Sequence, residues 1–153
     1  VTRLNREVNN ALTDNSLNQS VANAHRTLGR VAWHLTTAIP EMMERTGLKI
    51  AGPRPEAPLP KTAAEIKNAY EQASKSLLEE VTKNWKDDTL MIIDDMYGMK
   101  WPKGLTLRIL MDHEIHHRGQ MTILMRQAGL KVPGVYGPSK EEWVNYGGNP
   151  PKI

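Results

Sequence analysis

Apolar residues recur along this chain at three-, four- and seven-residue intervals, the period of helices that bury one face. Leu4, Val8 and Leu12 predict a short first helix that ends before the turn-forming residues 13–16. Val21, Leu28, Val31, Leu35, Ile39 and Met42 predict a second helix over about residues 17–46, stopped by Gly47 and kinked at Pro40, which has no N–H for the carbonyl of Thr36. Residues 51–60 carry four prolines and predict an extended connection. Thr62-Ala-Ala-Glu65 is a capping box that should start a third helix running to about Trp85 and burying Ile66, Tyr70, Ala73, Leu77 and Val81.

Residues 87–104 carry a weaker signal. Leu90, Ile93 and Tyr97 suggest a short helical piece that Gly98, Pro102 and Gly104 interrupt, and no strand pattern competes. Thr106 is placed to cap a long helix through Leu110, Met111, Met121, Leu124 and Met125 to Gly129. A loop follows over residues 133–138, and Ser139 with Glu142 repeats the capping pattern for a short C-terminal helix. The expected fold is all-α, a four-helix bundle with a long Pro-rich crossover, in one domain over residues 1–153.

A chain of 153 residues can bury roughly 70% of its unfolded surface without a metal or disulfide staple. A metal site here would therefore serve function before folding. Absence of cysteine excludes disulfides, thiolate zinc sites, iron–sulfur clusters and a protein thiol nucleophile. The net charge of +3 comes from scattered Lys and Arg with no basic stripe, and the aromatics are dispersed, so nucleic acid is not an expected partner. No apolar run matches a membrane span, and residues 1–12 lack a signal-peptide core, so a soluble cytoplasmic protein is expected.

Three of the five histidines fall within Asp112-His-Glu-Ile-His-His-Arg-Gly-Gln120. At about 100° per residue His113 and His117 stand about 40° apart and one turn apart, on the apolar face, so both imidazoles could reach one ion. Two core histidines hydrogen-bonded to neighbouring helices would fit the same spacing. For a third ligand, His34 is better placed than His25: it lies within about 60° of Val31 and Ala38, whereas His25 points about 180° away. His25 and His116 read as surface or interface residues, Trp33 and Tyr136 as packing residues, and the eight methionines as core filler. Glu114 also falls on the apolar stripe, with Arg118 as its i+4 partner.

The segments Val31-Ala-Trp-His34-Leu35 and His113-Glu-Ile-His-His117-Arg-Gly-Gln120, with Met125-Arg-Gln-Ala-Gly129 and Val132-Pro-Gly-Val-Tyr-Gly-Pro138 downstream, resemble the DinB-like family, damage-inducible metal-binding four-helix bundles typified in Bacillus. The resemblance runs from about residue 4 to residue 146. It implies a divalent metal on a His triad matched by His34, His113 and His117, a homodimer, and kinship with enzymes that use low-molecular-weight thiols.

Three His ligands leave coordination positions open, the layout of a catalytic site. Zinc or nickel is the first expectation, with manganese or iron also compatible. An external thiol bound as thiolate would support S-transfer, and an ionised water would support hydrolysis, in either case on a small electrophilic substrate. Glu114, Arg118 and Gln120 are candidates for polar groups behind the ligands or in the pocket, although ordinary salt-bridge and solvated-amide roles fit them too. Two other readings remain: a stress protein that binds a metal or small molecule without catalysis, and a dimerising bundle whose histidines only hydrogen-bond.

Overall fold

The computed structural model describes residues 1–152, in the order α1 (Thr2–Asn10), α2 (Leu28–Met43), α3 (Ala63–Asn84), β1 (Ile93–Met96), β2 (Met99–Pro102) and α4 (Lys103–Gln127). Single 3-10 turns lie at Asp14–Asn18, Glu44–Thr46, Asp87–Met91 and Trp143–Tyr146. The chain is mostly helical: α2 packs on α3 and α4, and α1 lies across α3 and α4. Among the described residues, no helix is long and apolar enough to cross a membrane.

The α3 start follows the sequence pattern. The Glu65 N–H donates to the Thr62 hydroxyl at 3.2 Å, the Thr62 N–H donates to Glu65 Oε2 at 3.0 Å, and the Ala63 N–H donates to Asp14 Oδ1 at 2.7 Å. Residues 51–61 form neither helix nor strand.

The second helix is shorter than expected, beginning at Leu28 and not near residue 17. Local hydroxyl bonds outcompete its first turns. Thr13 and Ser16 cap the turn Asp14–Asn18, Ser20 bridges Thr27, and the Thr27 hydroxyl accepts the Arg30 N–H at 3.2 Å. Val21, expected on the buried stripe, is 61% exposed in the resulting loop. Pro40 sits inside α2, which runs on to Met43 and tightens into the turn before Gly47, whose φ of 86° ends it.

The region expected to hold only a helical piece contains a β-hairpin. Tyr97 and Gly98 both take positive φ, 59° and 82°, the signature of a two-residue type I′ turn, and register pairs Met96 with Met99. Lys103 Nζ then meets Asp94 at 2.8 Å, and α4 leaves β2 directly with Pro102 as its N-cap residue. Thr106, the expected cap, is instead fully buried inside α4, and its hydroxyl has no partner among the described residues. The expected short C-terminal helix reduces to the 3-10 turn Trp143–Tyr146. Glu142 uses its two carboxylate oxygens to hold the Gly134 and Ser139 N–H groups, tying the preceding loop rather than launching a helix.

Two apolar clusters fill the interior. One gathers Val31, Leu35, Ile66, Leu124 and Met125, the other Ile39, Met43, Ala73, Leu77 and Leu110. Along α4 the two clusters are separated by residues 113–118, where the polar residues gather.

Candidate metal centre

His34 enters from α2, and His113 and His117 enter from successive turns of α4. The i,i+4 spacing lines the two α4 rings up, and the packing of α2 against α4 brings in the third. His113 Nε2 lies 3.1 Å from His34 Nε2 and 3.2 Å from His117 Nε2. One nitrogen from each of the three rings falls within 4.8 Å of the others, so the group could hold a metal ion. Metal–nitrogen bonds of about 2.0–2.1 Å meeting at the tetrahedral angle separate two donors by about 3.3–3.4 Å. The measured separations come close to that.

The protonation states suit the same role. Burial pushes the His34 imidazole down to about 4, reinforced by the nearby His117, Arg26 and Arg30. His113 is likewise pushed down to about 4, by burial and then by His117 and His34. His117 is lowered by burial. Neutral rings offer lone pairs, and His117 Nδ1, 2.7 Å from Gln120 Oε1, can place its proton there and leave Nε2 free to face the other two rings. Gln120 is itself held by His116, 3.0 Å from its amide nitrogen.

Two clefts open on either side of the triad. One, of about 550 Å³, has His117 and Gln120 in its wall together with His25, Arg26, Val31 and Ile123. The other, of about 440 Å³, is reached by His34 and His113 and is closed by Glu41, Pro55, Tyr97 and Trp101. The Tyr97 hydroxyl donates to Glu41 Oε2 at 2.6 Å, Arg45 Nε donates to Oε1 at 3.2 Å, and the Arg45 guanidinium stacks 4.4 Å above the Tyr97 ring. Burial and the bond to Glu41 push the Tyr97 phenol up to about 12.

Of the polar residues singled out in the sequence, Gln120 meets the triad and Glu114 and Arg118 turn elsewhere. Both are 2% exposed, and they form no direct ion pair with each other. Tyr70 donates to Glu114 Oε1 at 2.7 Å, Arg118 donates to Asn5 Oδ1 at 2.7 Å and to the Tyr136 hydroxyl at 3.0 Å, and Asn5 donates to Tyr70 at 3.0 Å. Burial raises the Glu114 carboxyl, against the pull of these donors. Trp33 packs in the core with its indole N–H on the Ala57 carbonyl. Sequence reasoning missed Glu41, seven residues and two helical turns beyond His34 and so on the same face, and missed Arg26 because the loop that carries it was read as helix.

Comparison with known proteins adds three findings. The model of the DinB family matches residues 1–151. The uncharacterised protein YrdA of Bacillus subtilis (strain 168) is 44% identical over 144 residues, 94% of this chain and 86% of the relative. The crystal structure of a DinB-like protein from Bacillus cereus ATCC 10987 superposes with a TM-score of 0.86 at 45% identity, covering 88% of this chain and 90% of that one.

Proposed function

The chain belongs to the DinB family, and on that premise we propose that it is a divalent-metal-dependent enzyme, an S-transferase using an external low-molecular-weight thiol or a hydrolase, acting on a small electrophilic molecule. His34, His113 and His117 are the ligands, for zinc or nickel in the first place. The proposal takes the whole chain as one domain working as a cytoplasmic homodimer. The observation that carries it is the convergence of three neutral imidazole nitrogens, 3.1 and 3.2 Å apart at the nearest pairs, beside two clefts of small-molecule size.

A bound divalent ion supplies Lewis acidity, lowering the pKa of a coordinated water or thiol and polarising a carbonyl. The chain's own residues do the rest. Gln120 fixes the tautomer and orientation of His117, and His34 and His113 stay unprotonated at neutral pH because they are partly buried among like groups. Tyr97 and Trp101 wall the second cleft, where an apolar substrate loses water on entry. Glu41, held by Tyr97 and Arg45, is the carboxylate able to accept a proton from a substrate in that cleft.

Metal content of untagged protein, compared with His34→Ala and His113→Ala, tests the centre. Near-stoichiometric zinc or nickel in the parent and none in either variant is the expected result. Thiol-adduct and ester-hydrolysis screens of the loaded protein then separate transferase, hydrolase and a purely binding role. A parent that takes up neither ion after incubation would overturn the proposal.

A further inference from the structure

Tyr97 stands where its side chain is out of place. Its φ of 59° lies in the left-handed region, where Gly or Asn would close the same two-residue turn with less strain. The ring is nevertheless held from three directions. Its hydroxyl donates to Glu41 Oε2 at 2.6 Å, the Arg45 guanidinium lies 4.4 Å from its centroid, and the Trp101 ring meets it at 6.2 Å. The hairpin has a separate fastening at its base, where Lys103 Nζ donates to Asp94 and to the Thr46 carbonyl, so its attachment does not rest on Tyr97 alone. A residue kept in a disfavoured conformation and fixed this closely points to work done by the ring itself.

That ring borders the cleft of about 440 Å³ that His34 and His113 also border, together with Trp101, Met42 and Ile109. Among the described residues no Lys or Arg lines it. The one carboxylate there, Glu41, spends Oε2 on Tyr97 and Oε1 on Arg45, so its charge is answered within the protein. An anion finds no partner in such a cleft, and a cation finds a carboxylate already paired. The rings of Tyr97 and Trp101 are inclined at 66° and form a corner. A third ring can stack on one of them and aim its edge at the other, an arrangement that depends on aromatic quadrupoles and that a saturated ring of the same size cannot reproduce.

We propose that Tyr97 and Trp101 are the specificity-determining residues of this cleft and that they select an uncharged, flat aromatic substrate, its ring in the hairpin corner and its reacting atom towards His34 and His113. The assignment of that ligand as the substrate rests on the metal-centre reading above; the ring-binding corner is a property of the hairpin and α2.

The test is calorimetric titration of the full chain, zinc-loaded and metal-free, with 2-naphthylmethanol, its saturated analogue decahydro-2-naphthylmethanol, and 2-naphthalenesulfonate. The saturated analogue is the more apolar of the two alcohols, so burial of apolar surface alone would favour it. Expected is the reverse, with 2-naphthylmethanol bound about tenfold tighter than the saturated analogue and the sulfonate weakest. Tyr97→Asn, which suits the turn and removes the ring, and Trp101→Leu should each bring the two alcohols to within about twofold of one another. Tyr97→Phe keeps the ring and should keep most of the preference. Circular dichroism and thermal melts of each variant show that the fold persists, and a loss of preference seen only where the fold fails would count against the inference. Equal or tighter binding of the saturated analogue by the parent, or a preference that survives in both Tyr97→Asn and Trp101→Leu, would overturn it and leave the metal centre standing. A ring preference in a protein that takes up no zinc would uphold the corner and withdraw the metal-dependent reaction.

Discussion

Gln120 and Arg118 lie two residues apart on α4 and do different work. Gln120 accepts from the ring of His117, so Gln120→Ala should leave stability within about 0.5 kcal/mol while weakening metal affinity by about 10–100-fold, as loss of a ligand's orienting partner does. Arg118 is 2% exposed and ties α4 to Asn5 of α1 and to Tyr136 of the tail. Arg118→Leu strands the buried Asn5 carbonyl and should cost about 2–4 kcal/mol in urea unfolding, with metal stoichiometry unchanged. A variant that lost metal while keeping stability would place Arg118 with the ligands after all.

At the scale of elements, two threonines separate what the sequence shows from what it conceals. Thr62 was legible as a cap because its partner Glu65 lies three residues on, and both reciprocal bonds form. Thr62→Ala should therefore cost about 1 kcal/mol. Thr106 has the same chemistry, but α4 is entered from the hairpin at Lys103, so its hydroxyl is buried without a partner. Thr106→Val should stabilise the protein by about 1 kcal/mol in the same assay, whereas a capping role would predict a loss of that size. The period of apolar residues located α3 and most of α4, and with them the histidine pair. The start of α2 was missed because hydroxyl bonds at Thr13, Ser16 and Thr27 hold the chain in turns that no apolar period reports. The hairpin was missed because its four-residue strands are too short to alternate clearly and because Tyr97 stands at φ 59°, where turn chemistry favours Asn or Gly. Arg26 and Glu41, which give the clefts their opposite character, became visible only with α2 in place.

At the scale of the molecule, the triad couples acid stability to metal binding. His34 and His113 have folded-state values near 4, below the ordinary 6.5 that they regain when the chain unfolds. Between those two values the unfolded chain binds more protons, so stability falls as pH drops from about 6.5 to about 4. Above that window the pair contributes no pH dependence. A bound ion shifts the balance in the same sense, because it needs the unprotonated rings and binds only where all three are assembled. Zinc at one hundred times its dissociation constant should add about 2.7 kcal/mol at pH 7.5. Thermal melts from pH 7.5 down to 4, with and without zinc, should show a shift that is large at the start and gone at the end. His34→Ala should remove the zinc-dependent shift and flatten part of the acid slope of the metal-free protein. Both effects must fall together if the same three rings cause them, so a variant that abolished the zinc shift and left the acid slope whole would assign that slope to other groups.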